Sequence, residues 1–240
     1  RRFDAVVCVS SDIKNTLLAN GATGDRLHVI LNGVDPEAYQ RCEKARNLIR
    51  AELGLQPDDV VFGSVGRVER QKRFDLLIEA FSALTKSRPD IRLIIVGAGS
   101  LLPQHERHLR QLGLSDRCQL LGYRNDMKRL YQAFDVYVQS SDYEGTPTVL
   151  LEAMAMKLPI VATDAGGTTE LLDPGIDAIV TPPGDVPALA AAMEQTIDDR
   201  TATSDRVARA HAKASNELSF EQRTTRLLEV YRHVLESRRK

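Results

Sequence analysis

The chain has 240 residues, enough to bury a sizeable core as one large or two small domains. Its 32 Lys and Arg stand against 33 Asp and Glu, a formal net charge of −1, so no bulk field draws it to nucleic acid or to an anionic membrane and a small-molecule site is favoured. Cys8, Cys42 and Cys118 are odd in number, far apart and without metal-type spacing, as in a reducing compartment, and no apolar run approaches membrane-spanning length.

The start, Arg1-Arg2-Phe3-Asp4, resembles no signal peptide and reads as a cut through a longer chain, because residues 5–9 already form a core-type strand. A helix is expected over 11–20 and a strand over 28–31, ended by the turn or hinge signal Asn32-Gly33-Val34-Asp35-Pro36. A charged helical stretch over 37–53 follows. Apolar runs at 60–65, 91–96, 118–121, 135–139, 159–162 and 178–180 then alternate with amphipathic segments at 74–86, 104–112, 126–133, 147–156, 168–172 and 186–197. Short apolar strands alternating with helices predict a doubly wound α/β domain, a Rossmann-like parallel sheet covered on both faces. The tail from 202 on reads as helical and charged. Phe220, Leu227, Leu228, Tyr231, Val234 and Leu235 form an apolar stripe that needs a partner, for which the opening 1–35 is the candidate; Arg238-Arg239-Lys240 reads as a frayed end.

In such sheets ligands bind in the loops that leave the carboxyl ends of the strands. The loop 140–147 is the most informative. Thr146 is expected to cap the following helix and Pro147 to occupy its first position, leaving the amides of Thr148, Val149 and Leu150 free for an anion, with the small Gly145 allowing close approach. Glu144 precedes the cap, and Glu152 sits in an otherwise apolar segment, leaning back toward the same place. As bland alternatives, Glu144 is a solvated loop residue and Glu152 pairs with a structural Arg. After the strand at 60–65, Gly66-Arg67 and Lys72 offer an Arg fork and a mobile point charge for a diphosphate, or else a solvated charged loop. His105 and His108 miss the one-turn spacing of a zinc pair and are read as surface residues; no Asp-x-Asp and no complete Gly-x-Gly-x-x-Gly dinucleotide fingerprint is present. No metal site is expected.

Val65-Gly66-Arg67 with Lys72, the Glu144…Glu152 pair around Gly145, Glu152-Ala153-Met154-Ala155, Gly166-Gly167 with Glu170, and the hinge at Asn32-Gly33-Val34-Asp35 together resemble the GT-B glycosyltransferases of family 4. The resemblance implies the C-terminal, donor-binding half of a retaining enzyme that moves a sugar from a nucleoside-diphosphate donor, UDP- or GDP-linked, with no cofactor and no bound metal. Residues 1–35 would be the last strand–helix–strand of an N-terminal acceptor domain plus the hinge, 36–218 the donor domain, and 219–240 a helix packing back on the start. Arg67 and Lys72 would hold the diphosphate and stabilise the departing charge, and Glu144 would touch the transferred sugar near its reacting carbon. Glu152 would bind the ribose hydroxyls, the Thr148 and Val149 amides would add to the phosphate site beside Gly145 and Thr146, and Tyr123 and Arg124 would seat the base. Two departures stand out: Arg73 replaces the glycine usual after the lysine, and Gly-Thr-Pro follows Glu144. The implied partners are an N-terminal domain absent from 1–240 and an acceptor that is a saccharide, lipid-linked saccharide or lipid. The implied location is cytoplasmic, extending to the inner membrane surface. A nucleotide-sugar-binding module that needs a partner chain, or a sugar-nucleotide epimerase, stays open as an alternative.

Overall fold

A computed structural model describes residues 3–238, so expectations resting on Arg1, Arg2, Arg239 or Lys240 lie outside the described residues. Strands β1 (Val6–Cys8) and β2 (Leu27–Val29) pair in parallel through α1 (Ser11–Ala19), which Ser10 caps by accepting the Ile13 amide. The charged stretch over 37–53 is helical only as α2 (Glu43–Glu52). Before it a single 3-10 turn, Pro36–Ala38, ends at Tyr39, and Arg41 reaches the Tyr131, Gln132 and Phe134 carbonyls, so this segment is pulled onto the body of the protein.

The main sheet contains β3 (Val60–Val65), β4 (Ile91–Val96), β5 (Cys118–Leu120), β6 (Val136–Gln139), β7 (Ile160–Thr163) and β8 (Ile179–Thr181). The order is β5-β4-β3-β6-β7-β8 and every pairing is parallel. Alternate side chains feed two separate cores, as the period of two requires. Val61, Ile94, Val96 and Tyr137 join one face with α5 (Met127–Ala133), α6 (Thr148–Ala155) and α9 (Arg200–Asn216). Phe62, Leu93, Ile95 and Val138 join the other with α3 (Phe74–Leu84), α4 (Leu102–Gln111) and α8 (Val186–Asp198). This is the doubly wound α/β architecture expected from the alternation. Its strand order reverses between β3 and β6, where the helices diverge and leave a crevice.

Two expectations need correction. His105 is buried, because Leu102, His105 and Leu109 share one face of α4, and its ring meets Phe74 edge-on. Burial pushes its pKa below the ordinary value, and its Nδ1 has no hydrogen-bond partner among the described residues. In α10 (Phe220–Ser237) the expected apolar stripe faces inward only through Leu227 and Val234. Phe220, Leu228, Tyr231 and Leu235 remain exposed, whereas the face running through Arg223, Leu227, Val230 and Val234 turns toward the body and only Val230 is fully buried.

The chain between α9 and α10 is stitched to the hinge: the Val34 amide donates to the Leu218 carbonyl (2.9 Å) and the Phe220 amide donates to the Val34 carbonyl (3.0 Å). Val230 and His233 of α10 line a cavity with His28 and Ile30, and Arg238 pairs with Asp4. Cys8 and Cys118 are buried and Cys42 is exposed, all as free thiols. No helix among the described residues is long and apolar enough to cross a membrane.

Candidate functional site

The crevice at the strand-order reversal is flanked by the loop after β3 and the loop after β6, and a set of polar contacts runs between them. The Gln71 carbonyl accepts the Asp142 amide (2.9 Å), the Gln71 side chain donates to the Tyr143 carbonyl (2.7 Å), and the Ser140 hydroxyl donates to the Lys72 carbonyl (2.8 Å). At their centre Lys72 Nζ meets Glu144 Oε1 at 2.5 Å, with side-chain exposures of only 14% and 8%. Ser141 donates a second hydrogen bond to the same oxygen. Glu144 is therefore not a solvated loop residue. Lys72 lies across Gly66, where an added Cβ would come within 2.8 Å of its Cε.

Arg73 keeps the loop shape that a glycine would ordinarily supply. It sits in the left-handed region (φ 47, ψ 42), where a side chain costs energy, and its guanidinium binds Asp75 on one side and Asp142 on the other. Arg73 thus holds a left-handed turn and adds a second ionic link across the crevice, to Asp142. Arg67 is exposed and makes no ion pair among the described residues. Its neighbour Glu69 is engaged elsewhere, accepting the amide and hydroxyl of Ser100.

The helix after Glu144 starts one residue later than expected. Pro147 is the N-cap of α6, and the Thr146 hydroxyl instead donates to the Val9 carbonyl at the end of β1. A partner 137 residues away has replaced the local cap. The Leu150 amide bonds to the Pro147 carbonyl, so two amides rather than three, those of Thr148 and Val149, are without partners among the described residues. A Cβ added to Gly145 would meet Ile13 and Val9 at ordinary contact distance, while a Cβ on Gly167 would strike the Gly145 carbonyl at 1.6 Å. Glu170, in the short helix α7 (Thr168–Leu171) that follows the Gly166-Gly167 turn, receives both the amide and the hydroxyl of Ser11 at the start of α1.

Glu152 does not make the structural Arg pair that the sequence offered as its alternative. No Arg pairs with it among the described residues; its Oε1 accepts the Tyr39 hydroxyl at 2.9 Å and its Oε2 accepts the Tyr131 hydroxyl at 2.7 Å. Tyr131 is fully buried and packs edge-on against Tyr39 and Phe134. Burial first and then Glu152 push the Tyr39 phenol upward, so it stays a donor at neutral pH. Tyr137 is buried beside Tyr131 with its hydroxyl donating to the Val65 carbonyl (3.4 Å), and burial first, then the charges of Glu144 and Glu152, raise its phenol. Glu152 and Thr148 line a cavity of about 570 Å³ with Asn32, Tyr39, Lys128 and Arg223.

A smaller cavity of about 220 Å³, mostly apolar, opens between Gly66, Arg67, Gly97, Tyr123, Arg124 and Met127. Tyr123 is exposed at its rim. Arg124 is already committed to Asp126 at 2.7 Å and Glu52 at 3.1 Å, so it contributes as a fixed wall rather than a free cation. The described residues contain no cluster of three metal-ligating side chains. The two phenols on Glu152 had no signal in the sequence, because Tyr39 and Tyr131 lie 113 and 21 residues from it.

Residues 45–214 match the family model of glycosyl transferases group 1. Over 98% of its length the chain is 29% identical to the lipopolysaccharide core biosynthesis mannosyltransferase LpsB of Rhizobium meliloti strain 1021, covering 67% of that protein. The crystal structure of Anabaena Alr3699/HepE in complex with UDP and glucose superposes with a TM-score of 0.89 at 27% identity, over 96% of this chain and 63% of that one. The C-terminal domain of the glycosyl transferase group 1 protein LpcC from Francisella tularensis, at 22% identity and a TM-score of 0.69, shares the fold over its whole length and 78% of this chain. The fold is thus that of a GT-B C-terminal domain, and the chain spans 67% of LpsB and 63% of HepE but only 40–51% of other curated relatives that it matches.

Proposed function

Because the chain belongs to the glycosyl transferases group 1 family, we propose that it supplies the donor-binding half of a retaining family 4 glycosyltransferase acting on a nucleoside-diphosphate sugar. The observation that carries this reading is the Lys72–Glu144 ion pair in the β3–β6 crevice, on the loop that leads to the two unpartnered amides of α6. A diphosphate needs cations and amide donors at one place. Lys72, Arg67 and the Thr148 and Val149 amides are of the right chemistry, and a helix N-terminus adds its dipole. On departure the nucleotide gains charge, so these contacts strengthen toward the transition state, which is the requirement for lowering the barrier rather than only binding donor.

In this reading Glu144, released from Lys72 as the diphosphate arrives, faces the transferred sugar beside its reacting carbon. The apolar cavity beside Tyr123 takes the base, and Glu152 takes the ribose hydroxyls. UDP is the favoured nucleotide, since the similar HepE was crystallised with it. Neutralisation by Arg67, Lys72 and backbone amides makes a metal unnecessary. Residues 1–35 and 219–240 belong with an N-terminal acceptor domain, and 36–218 form the donor domain. The acceptor is a saccharide, lipid-linked saccharide or lipid, met in the cytoplasm or at the inner membrane face. Without the opposing wall to hold an acceptor and exclude water, residues 1–240 alone transfer no sugar.

Calorimetry with UDP, GDP and ADP, each with and without EDTA, tests the reading beside a sugar-transfer assay. Binding unaffected by EDTA without transfer is expected. Binding that strictly requires a divalent metal, or robust transfer by this chain alone, would overturn it.

A further inference from the structure

The carboxylate of Glu152 is half-buried on a helix whose other inward residues, Leu150, Leu151, Ala153, Met154 and Ala155, are all buried and apolar. Both its oxygens are satisfied by neutral donors and neither by a cation among the described residues. For packing alone this is a costly choice. A buried carboxylate without a counter-charge costs more than an amide or an apolar side chain in the same volume. Each phenol has one hydrogen and gives it to one oxygen, so the two together fix the plane of the carboxylate. An ionised carboxylate accepts about four hydrogen bonds, and the two tyrosines use only two of them. The unused acceptor positions belong to a group that lines the 570 Å³ cavity, and what they match is a pair of adjacent hydroxyl donors.

We propose that Tyr39 and Tyr131 are positioning residues that clamp Glu152 for recognition of a vicinal diol, the ribose of the nucleotide. This rests on the donor-site reading of Glu152 given above. The two phenols differ in kind. Tyr131 is fixed from below by Phe134 and Tyr137, whereas Tyr39 is half-exposed, stands on the irregular segment after the hinge, and carries Lys128 Nζ 5.4 Å above its ring. Tyr39 can therefore lose its hydroxyl with little effect on the core. Tyr131→Phe removes one oxygen without changing the ring packing, and serves as the second variant.

The experiment is a titration of the chain with UDP, 2′-deoxy-UDP and 3′-deoxy-UDP, with the GDP or ADP series substituted if one of those binds best. Wild type is expected to prefer the ribonucleotide by about tenfold, the scale of one hydrogen bond to a charged group. Tyr39→Phe should weaken UDP three- to tenfold and leave the deoxy analogues unchanged, moving the ratio toward one, with Tyr131→Phe acting the same way. A Tyr39→Phe protein that retains the wild-type ratio, or that weakens all three ligands equally, overturns the clamp, the latter because a purely structural role would do that. Glu152→Gln is measured in the same series. If it leaves the ratio unchanged, or if no nucleoside diphosphate binds, the donor-site reading itself falls, an outcome separate from failure of the tyrosines alone.

Discussion

Substituting Glu144 by Gln should tighten binding of a nucleoside diphosphate while suppressing turnover in the complete enzyme. Lys72 is held at 2.5 Å by a carboxylate that is itself only 8% exposed. Unit charges at contact range attract by ~4 kcal/mol at an intermediate dielectric, and an arriving diphosphate must replace Glu144 as the counter-ion of Lys72. The incoming phosphate also meets the negative field of Glu144 until that side chain turns away. Removing the charge abolishes both costs, though the ligand regains most of the lysine attraction in either protein, so the net gain is of order 1–2 kcal/mol, or about 5- to 30-fold in affinity. Glutamine keeps the size and can still accept from Ser141, so the loop should retain its shape. Calorimetry gives the affinity, and steady-state kinetics of the enzyme with its acceptor domain gives turnover. Weaker UDP binding by the Gln variant would show that Glu144 helps rather than competes at Lys72, and would refute the exchange of partners.

Arg67→Ala and Lys72→Ala in the complete enzyme should lower kcat more than they raise the donor KM, because leaving-group charge grows as the bond breaks; an effect confined to KM would argue against it. Lys157 has φ 54 and follows Met156, the C-cap of α6; Lys157→Gly should raise stability in urea by about 1 kcal/mol, the cost of a side chain in the left-handed region, and no gain would mean that its contacts repay the strain. Burial lowers the pKa of His105, and burial then Lys157 lower that of His211, from the ordinary 6.5. The folded state therefore binds fewer protons than the unfolded state, so stability is full above pH 6.5 and declines as pH falls below it. His105→Leu should flatten that decline between pH 6.5 and 5 in thermal melts, and an unchanged slope would assign it to other groups.

The sheet was legible because its strands are continuous apolar runs between helices, a pattern that local composition alone produces when both faces are covered. What sequence could not supply is where a polar side chain finds its partner when several lie at long range. Thr146 followed by Pro147 reads locally as a cap, yet the hydroxyl goes to Val9, and the helix begins after the proline instead. Glu152 was singled out correctly as a carboxylate in apolar surroundings, but an Arg was the obvious partner, and two phenols brought in by the fold took that place. His105 is a different case. The spacing Leu102, His105, Leu109 was readable as a buried face, and the neighbouring charges of Gln104-His105-Glu106-Arg107 obscured it. Arg73 shows that a residue type unsuited to a turn can hold it when ion pairs on both sides compensate.

The loop that carries Glu144 is also a bearing surface. Thr146 binds Val9, the Thr146 carbonyl accepts from Asn32 in the hinge, and Glu170 beside Gly167 grips the first turn of α1. The reactive end of the loop and its anchor are separated by a single glycine. A rotation of the β1–α1–β2 segment would therefore act on the Glu144 carboxylate through a very short lever. In the donor-site reading proposed above, the direction of the Glu144 carboxylate would then be set in part by where the β1–α1–β2 segment sits, and not by the nucleotide alone.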